Sequence, residues 1–147
     1  MSDVPAETLA AYRWTRPFPL RWHDNDVFGH VNNTIYYAAM DTTVTSWLLG
    51  EAGFGMHEDG DMAVVIASSC RYFASGAFPD TLVVGLRADR IGTTSVSWGL
   101  GIFREADGEL LATGTFVHVF VDRDARRPIP VPRPLRARIE HALVAEP

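Results

Sequence analysis

The chain is short of the features that carry a protein out of the cell or into a membrane. It has one cysteine, Cys70, in 147 residues, so no disulfide can form within it, which suits a reducing compartment. Its start, MSDVPAETLAAYRW, has no basic stretch followed by an apolar run, so a secretory leader is not expected. No apolar segment approaches the roughly 20 residues that cross a bilayer. These absences predict a cytoplasmic protein without a membrane partner. Basic charge is scarce as well: 13 Lys and Arg stand against 18 Asp and Glu, a net charge of −5. That balance argues against nucleic acid as the main partner, while leaving room for a local basic patch that meets one phosphorylated small molecule. No internal repeat or low-complexity tract is present.

Apolar residues make up 47% of the sequence and charged residues 21%. A domain of this length buries roughly two-thirds of its unfolded surface, enough for one core without metals or disulfides. The expected organisation is a single domain over residues 1–147, with 1–11 as a frayed lead-in.

The hydrophobic period changes along the chain. Phe18, Leu20 and Trp22 alternate in an extended segment over 12–22, and Pro17 and Pro19 suit an edge strand or a strand start. In TIYYAAMDTTVTSWLLG, residues Tyr36, Met40, Val44, Trp47 and Leu48 fall on one stripe of a helix, with Gly50 and Gly53 as stop signals. From residue 62 the period is two. MAVVIASSCRYFA, TLVVGLRADRIG, TTSVSWGLGIFRE and ELLATGTFVHVFVD read as four strands, with PD at 79–80 and ADGE at 106–109 as turns. In the last strand, strict alternation puts Leu111, Val117, Val119 and Val121 on one face and Leu110, Phe116, His118 and Phe120 on the other. A proline run ends the sheet, and a short helix near 134–144 closes the chain. The order of strand, helix and four strands predicts an α+β domain in which one helix packs on a single antiparallel sheet. The helix covers one face. The other lacks a cover, so association of copies is expected.

Between the first strand and the helix stands WHDNDVFGHVNN, residues 22–33, the densest polar stretch in the chain. A metal site is one reading, through His23, Asp24, Asp26 and His30. Their spacing matches neither a helical His-x-x-x-His pair nor a calcium loop with its closing Glu, so no metal ligand is assigned. Asn32 or Asn33 suits the helix cap, and Asp24 suits a turn that bonds backbone amides.

This stretch and the segments after it resemble the hotdog-fold acyl-CoA thioesterases of the 4-hydroxybenzoyl-CoA thioesterase type. The family opens on an Asp-x-Asp-x-x-Gly-His-Val-Asn-Asn-like motif leading into its central helix; here it stands as Asp24, Asp26, Gly29, His30, Val31, Asn32 and Asn33, followed by Tyr36. FASGAFPDTLVV, RIGTTSVSW and VFVDRDARRPIPVP extend the likeness over about residues 18–133. The resemblance implies a hotdog fold, an antiparallel sheet wrapped around a long central helix. It implies acyl-CoA as substrate, Asp26 as the catalytic carboxylate, and backbone N–H groups near Asn33 as the donors that polarise the thioester carbonyl. No cofactor is implied, and a homodimer or homotetramer is expected.

The chemistry of the residues is consistent with that. A helix N-terminus offers unpaired N–H groups and partial positive charge to an oxyanion. Gly29 lets the backbone approach a ligand closely. Asp26, just ahead of the helix, is placed to activate water or to attack the carbonyl. His30 is a candidate to orient water or to hold neighbouring side chains, and Gly29 and Tyr36 are the candidate substrate contacts. Arg71, Arg87, Arg90, Arg126 and Arg127 are candidates for phosphate contacts. Asp41, off the helix stripe, is expected to face solvent. Two other readings remain open at this point: a hotdog hydratase of enoyl or hydroxyacyl thioesters, and a non-catalytic acyl-CoA binding module.

Overall fold

The computed structural model describes residues 4–55 and 60–144; the first three residues of the expected lead-in lie outside these. Five strands form one antiparallel sheet: β1 (Trp14–Pro19), β2 (Met62–Tyr72), β3 (Thr81–Ile91), β4 (Ser95–Arg104) and β5 (Leu110–Val121), in the spatial order β1-β3-β4-β5-β2. The first strand is an edge, as its two prolines require. The central helix α1 (Asn33–Ser46) lies across the sheet and continues as a wider π turn over Trp47–Glu51. This is the hotdog arrangement implied by the resemblance.

The α1 stripe is buried as its period predicts. Tyr36, Met40, Val44, Trp47 and Leu48 are all buried, and Asp41 is exposed. Each such burial contributes roughly 1.5–3 kcal/mol. The sheet makes room for the helix at Gly114 on β5, where a Cβ would collide with the thioether of Met40 and the Ser69 carbonyl. A second helix, α2 (Arg133–Ala142), buries Leu135 and Ile139, one turn apart, and Leu143 follows; the Leu143 carbonyl accepts from the Ala88 N–H at 3.0 Å.

Two features depart from the simple pattern. In β5 the register slips between the pairs Ile102–Ala112 and Phe103–Leu110, so one residue is left over. Leu111 therefore joins the main core with Phe116 and Phe120, and Leu110 joins a small cluster with Tyr12 and Phe103 on the outer side. That reverses the assignment of these two leucines made by strict alternation, because a bulge shifts the parity of everything beyond it. The outer face also has more cover than expected. The lead-in forms a 3-10 turn at Leu9–Ala11, and the Tyr12 ring then lies over Gly85 and Gly101. Glycines at these points leave the ring a shallow bed.

The open surface is instead an edge. Strand β2 pairs with β5 on one side only, and Val64, Val65 and Ile66 are exposed, Ile66 at 62%. Ile66 is the extra residue of a second bulge, between Val65 and Ala67. No charged side chain occurs from Met62 to Cys70. Natural edge strands usually carry charges or proline that discourage pairing; this one has no proline and a single charge, Arg71, near its end. Among the described residues no helix is long and apolar enough to cross a membrane.

Candidate active site

The polar stretch folds into a turn held at both ends. Trp22–Asp24 make a 3-10 turn. Asp24 is buried, accepts the Arg21 N–H at 2.7 Å and pairs with the Arg21 guanidinium at 2.9 Å. Burial alone would raise the Asp24 carboxyl, but the bonds and charge of Arg21 outweigh it and hold the group below the usual carboxylate range. Asp24 is thus a structural anchor, and its carbonyl accepts from the Asn32 N–H at 2.9 Å. Across the turn, the Asp26 N–H donates to the His30 carbonyl at 2.8 Å and the Gly29 N–H to the Asp26 carbonyl at 3.1 Å. Gly29 takes φ +80°, the left-handed region that glycine enters without strain.

Asp26 is oriented by this turn: its Oδ1 accepts from the Phe28 N–H at 2.9 Å. Beyond it, Asn32 caps α1, its Oδ1 accepting from the Thr34 N–H at 3.0 Å and from the Thr34 hydroxyl at 3.0 Å. The Asn32 carbonyl takes the Ile35 N–H at 2.9 Å. Among the described residues, nothing accepts from the N–H of Asn33, at the first helical position.

Asp26 and Asn33 line one cleft of about 280 Å³ together with Val31, Tyr36, Tyr72, Ala74 and Ser75. Segment 74–78 forms the opposite wall and is tied to the turn. The Gly76 carbonyl accepts from the Val31 N–H at 2.9 Å, the Asn25 Oδ1 accepts from the Phe78 N–H at 3.0 Å, and the Gly76 N–H donates to the Tyr36 hydroxyl at 3.4 Å. The guanidinium of Arg104, anchored by Asp107 at 2.9 Å and Glu109 at 2.6 Å, reaches the Ser75 carbonyl at 2.8 Å. Tyr36 and Tyr72 meet edge to face at 5.2 Å, and the Tyr72 hydroxyl donates to the Asn33 carbonyl at 3.5 Å. Burial raises both tyrosine hydroxyls above their ordinary value, so both stay protonated at neutral pH. Trp22, Val27 and Phe28 in the turn and Phe78 in the facing segment are exposed.

Three of the five candidate residues, Asp26, Asn33 and Tyr36, therefore come together in the cleft. Gly29 and His30 sit in the exposed turn at its side, and His30 meets Asp26 through its backbone carbonyl. Sequence reasoning missed Tyr72, Ala74 and Ser75 as wall residues; the only available signal was the end of the period-two run at FASG. Of the candidate arginines, Arg87 is committed to Glu7 at 3.2 Å and Asp89 at 2.8 Å, and Arg71 lies over the Phe73 ring at 5.7 Å. Among the described residues, no group of three or more His, Cys, Asp and Glu side chains converges in a way that would hold a metal ion.

A single sheet wrapped on one helix, with an acidic turn against the N-terminus of that helix, defines a hotdog-fold protein. The sequence profile of the thioesterase-like superfamily matches residues 20–139, and the chain belongs to that superfamily. No curated protein matches it significantly. Among solved structures, the PA5185 protein from Pseudomonas aeruginosa is 40% identical, with a TM-score of 0.90 over 97% of this chain and 100% of that one. The PA2801 protein of the same organism, described as a candidate thioesterase, is 32% identical, with a TM-score of 0.79 over 85% of this chain and 96% of its own. Slr0204 from Synechocystis, a 1,4-dihydroxy-2-naphthoyl-CoA thioesterase, is 20% identical, with a TM-score of 0.77 over 85% of this chain and 93% of its own, and shares the fold.

Proposed function

We propose that the protein hydrolyses an acyl-CoA thioester to a carboxylic acid and free coenzyme A, with Asp26 as the reacting carboxylate. The observation that carries this reading is that Asp26 and the start of α1 share one cleft, the carboxylate fixed by the Phe28 N–H and the Asn33 N–H without an acceptor among the described residues. The thioester carbonyl oxygen points at the Asn33 N–H and the positive end of α1, which stabilise the charge that develops on it. Asp26 acts on the carbonyl carbon, either by taking a proton from an attacking water or by attacking it directly. The C–S bond then breaks, and the coenzyme A thiolate leaves and is protonated. In the direct route, water cleaves the resulting anhydride and restores the carboxylate. Tyr36 lines the acyl side and holds segment 74–76 through Gly76. Gly29 keeps the turn low beside the substrate, and His30 braces Asp26 through its carbonyl, with its imidazole at the rim to order water. The superfamily membership and the named coenzyme A thioesterase of the same fold support this class of reaction.

The same reading includes a homodimer formed by antiparallel pairing of β2 with the β2 of a second copy. The support is the edge itself: an eleven-residue strand with eight exposed positions, Val64, Val65 and Ile66 among them, and no charged side chain before Arg71. Such an edge offers a row of unpaired N–H and C=O groups to an identical strand.

Asp26→Asn tests the central claim, because the amide keeps an acceptor for the Phe28 N–H and removes the charge. Release of free thiol from acyl-CoA is expected to fall by about 10²–10⁴-fold, with the fold and oligomeric state unchanged. Turnover near the wild-type rate would remove Asp26 from the chemistry.

A further inference from the structure

One side chain grips both ends of the segment that walls the Asp26 cleft. Arg104 is the last residue of β4, and its side chain is 20% exposed. Its guanidinium makes three hydrogen bonds and one further ion pair. Nη1 donates to Asp107 at 2.9 Å and to Glu109 at 2.6 Å, both in the hairpin between β4 and β5. Nη2 donates to the Ser75 carbonyl at 2.8 Å. Nε lies 3.4 Å from the Asp80 carboxylate. The hairpin carboxylates thus fix the guanidinium, and its remaining edges reach residues 75 and 80, on either side of the connection from β2 to β3.

What lies between those two points holds the reacting turn. The Gly76 carbonyl accepts from the Val31 N–H at 2.9 Å, and the Phe78 N–H donates to Asn25 Oδ1 at 3.0 Å. Asn25 directly precedes Asp26, and Val31 stands two residues before Asn33. The Gly76 N–H belongs to the same peptide unit as the Ser75 carbonyl. That unit is therefore held by Arg104 on one side and by the Tyr36 hydroxyl, at 3.4 Å, on the other. At the far end, Asp80 Oδ2 accepts from the Ala77 N–H at 3.1 Å, and the Asp80 N–H donates to the Ala77 carbonyl at 2.9 Å. Arg104 itself stands behind the wall and does not line the cleft. Its path to Asp26 and to the Asn33 N–H runs through two hydrogen bonds of the segment it holds.

Ion pairing alone does not call for this arrangement. A lysine ammonium would serve Asp80, Asp107 and Glu109 as a point charge. Only the planar fork of arginine sends fixed donors from separate nitrogens to the hairpin, to a carbonyl and to a third carboxylate at once.

We propose that Arg104 is a positioning residue for the hydrolysis: by holding segment 75–80 at both ends, it keeps Asp26 and the Asn33 N–H in reacting geometry without meeting the substrate. This rests on the hydrolysis proposed above. Reacting groups displaced by about 1 Å lose rate on the order of 10²-fold. The loss falls on kcat, because the surfaces that bind the substrate remain while their alignment at the reacting carbon goes.

Wild type, Arg104→Lys and Arg104→Ala are compared in thiol release from acyl-CoA, in urea unfolding and in amide hydrogen exchange. Arg104→Lys keeps the positive charge among the three carboxylates and loses the fork. We expect its urea midpoint to stay close to that of wild type and its kcat to fall by about 10–10²-fold, with KM little changed. The amides of Val31 and Phe78 should exchange faster in this variant, while those of the β4–β5 ladder keep their protection. A kcat that returns together with stability in Arg104→Lys reduces Arg104 to an ion pair of the hairpin and overturns the proposal. Unchanged exchange at Val31 and Phe78 overturns it as well. In Arg104→Ala, added guanidinium ion, far below the concentrations that unfold the protein, is expected to restore kcat and ammonium ion is not; equal rescue by both overturns the part played by the fork. If Arg104→Ala does not fold, Arg104→Lys still decides. Wild type that releases no thiol from any acyl-CoA overturns the reaction itself, whereas active wild type matched by Arg104→Lys overturns the positioning alone.

Discussion

The Tyr12 ring occupies the space above Gly85: a Cβ at residue 85 would come within 2.5 Å of Tyr12 Cγ and 2.7 Å of its Cβ. These are atoms near the root of the side chain, which cannot swing aside without moving the backbone. The Tyr12 hydroxyl donates to Glu7 at 2.6 Å, and Arg87 covers the ring at 4.7 Å while pairing with Glu7. The lead-in is therefore fastened to the outer face by a ring, a carboxylate and a guanidinium at once.

Gly85→Ala should separate this fastening from the rest of the fold. Overpacking at such a site costs about 1–3 kcal/mol. We expect a lower urea midpoint and faster proteolysis near residues 7–12. Thiol release should change little, since the Asp26 cleft lies on the other side of the sheet.

Asn32→Ala removes the cap that holds the first turn of α1. A loss of about 1 kcal/mol in stability is expected. The larger effect should be on kcat, because the Asn33 N–H is aimed by that turn, and an oxyanion donor displaced or lost lowers the rate by about 10²–10³-fold. Asn32→Asp restores an acceptor and should recover stability. A rate that tracks stability alone in both variants would show that the cap does not aim a donor.

The Asp24 carboxyl sits below its ordinary value near 3.8 in the folded chain. A group depressed on folding contributes its full stabilisation above its ordinary value, and that contribution is lost as the pH falls through the depressed value. Stability measured from neutral pH down to about pH 3 should therefore decline steeply at the acid end. Asp24→Asn should be less stable at neutral pH and show a shallower acid decline.

Ile66→Lys places a charge on the exposed bulge of β2. A lysine on an open edge opposes pairing with another strand. Sedimentation should show a shift from dimer towards monomer, with thiol release falling in parallel. An unchanged dimer with full activity would mean that the copies associate elsewhere.

Much of this was legible in the sequence. The α1 stripe could be read because the helix packs on one side only, so its period survives in the residues. The turn 22–33 could be read because glycine, capping amide and carboxylate occur in a tight local order. Non-local relations could not. The exchange of Leu110 and Leu111 follows from a bulge that depends on the partner strand. The glycines under Tyr12 acquire meaning only once the lead-in is known to cross them. Tyr72 lies 39 residues from the Asn33 carbonyl it bonds, and Trp98 lies 20 residues from His118. The first pair joins the start of α1 to β2, the second is set by the register of β4 on β5, and no short-range pattern announces either.

The ties between the 24–32 turn and segment 74–78 have a further consequence. With Val31 on Gly76, Asn25 on Phe78 and Arg104 on Ser75, both walls of the cleft are set by bonds within the chain before anything enters. A site finished in advance has little reorganisation left to spend on telling one substrate from another by closing around it. Discrimination must then come from fixed shape and from donors already in position.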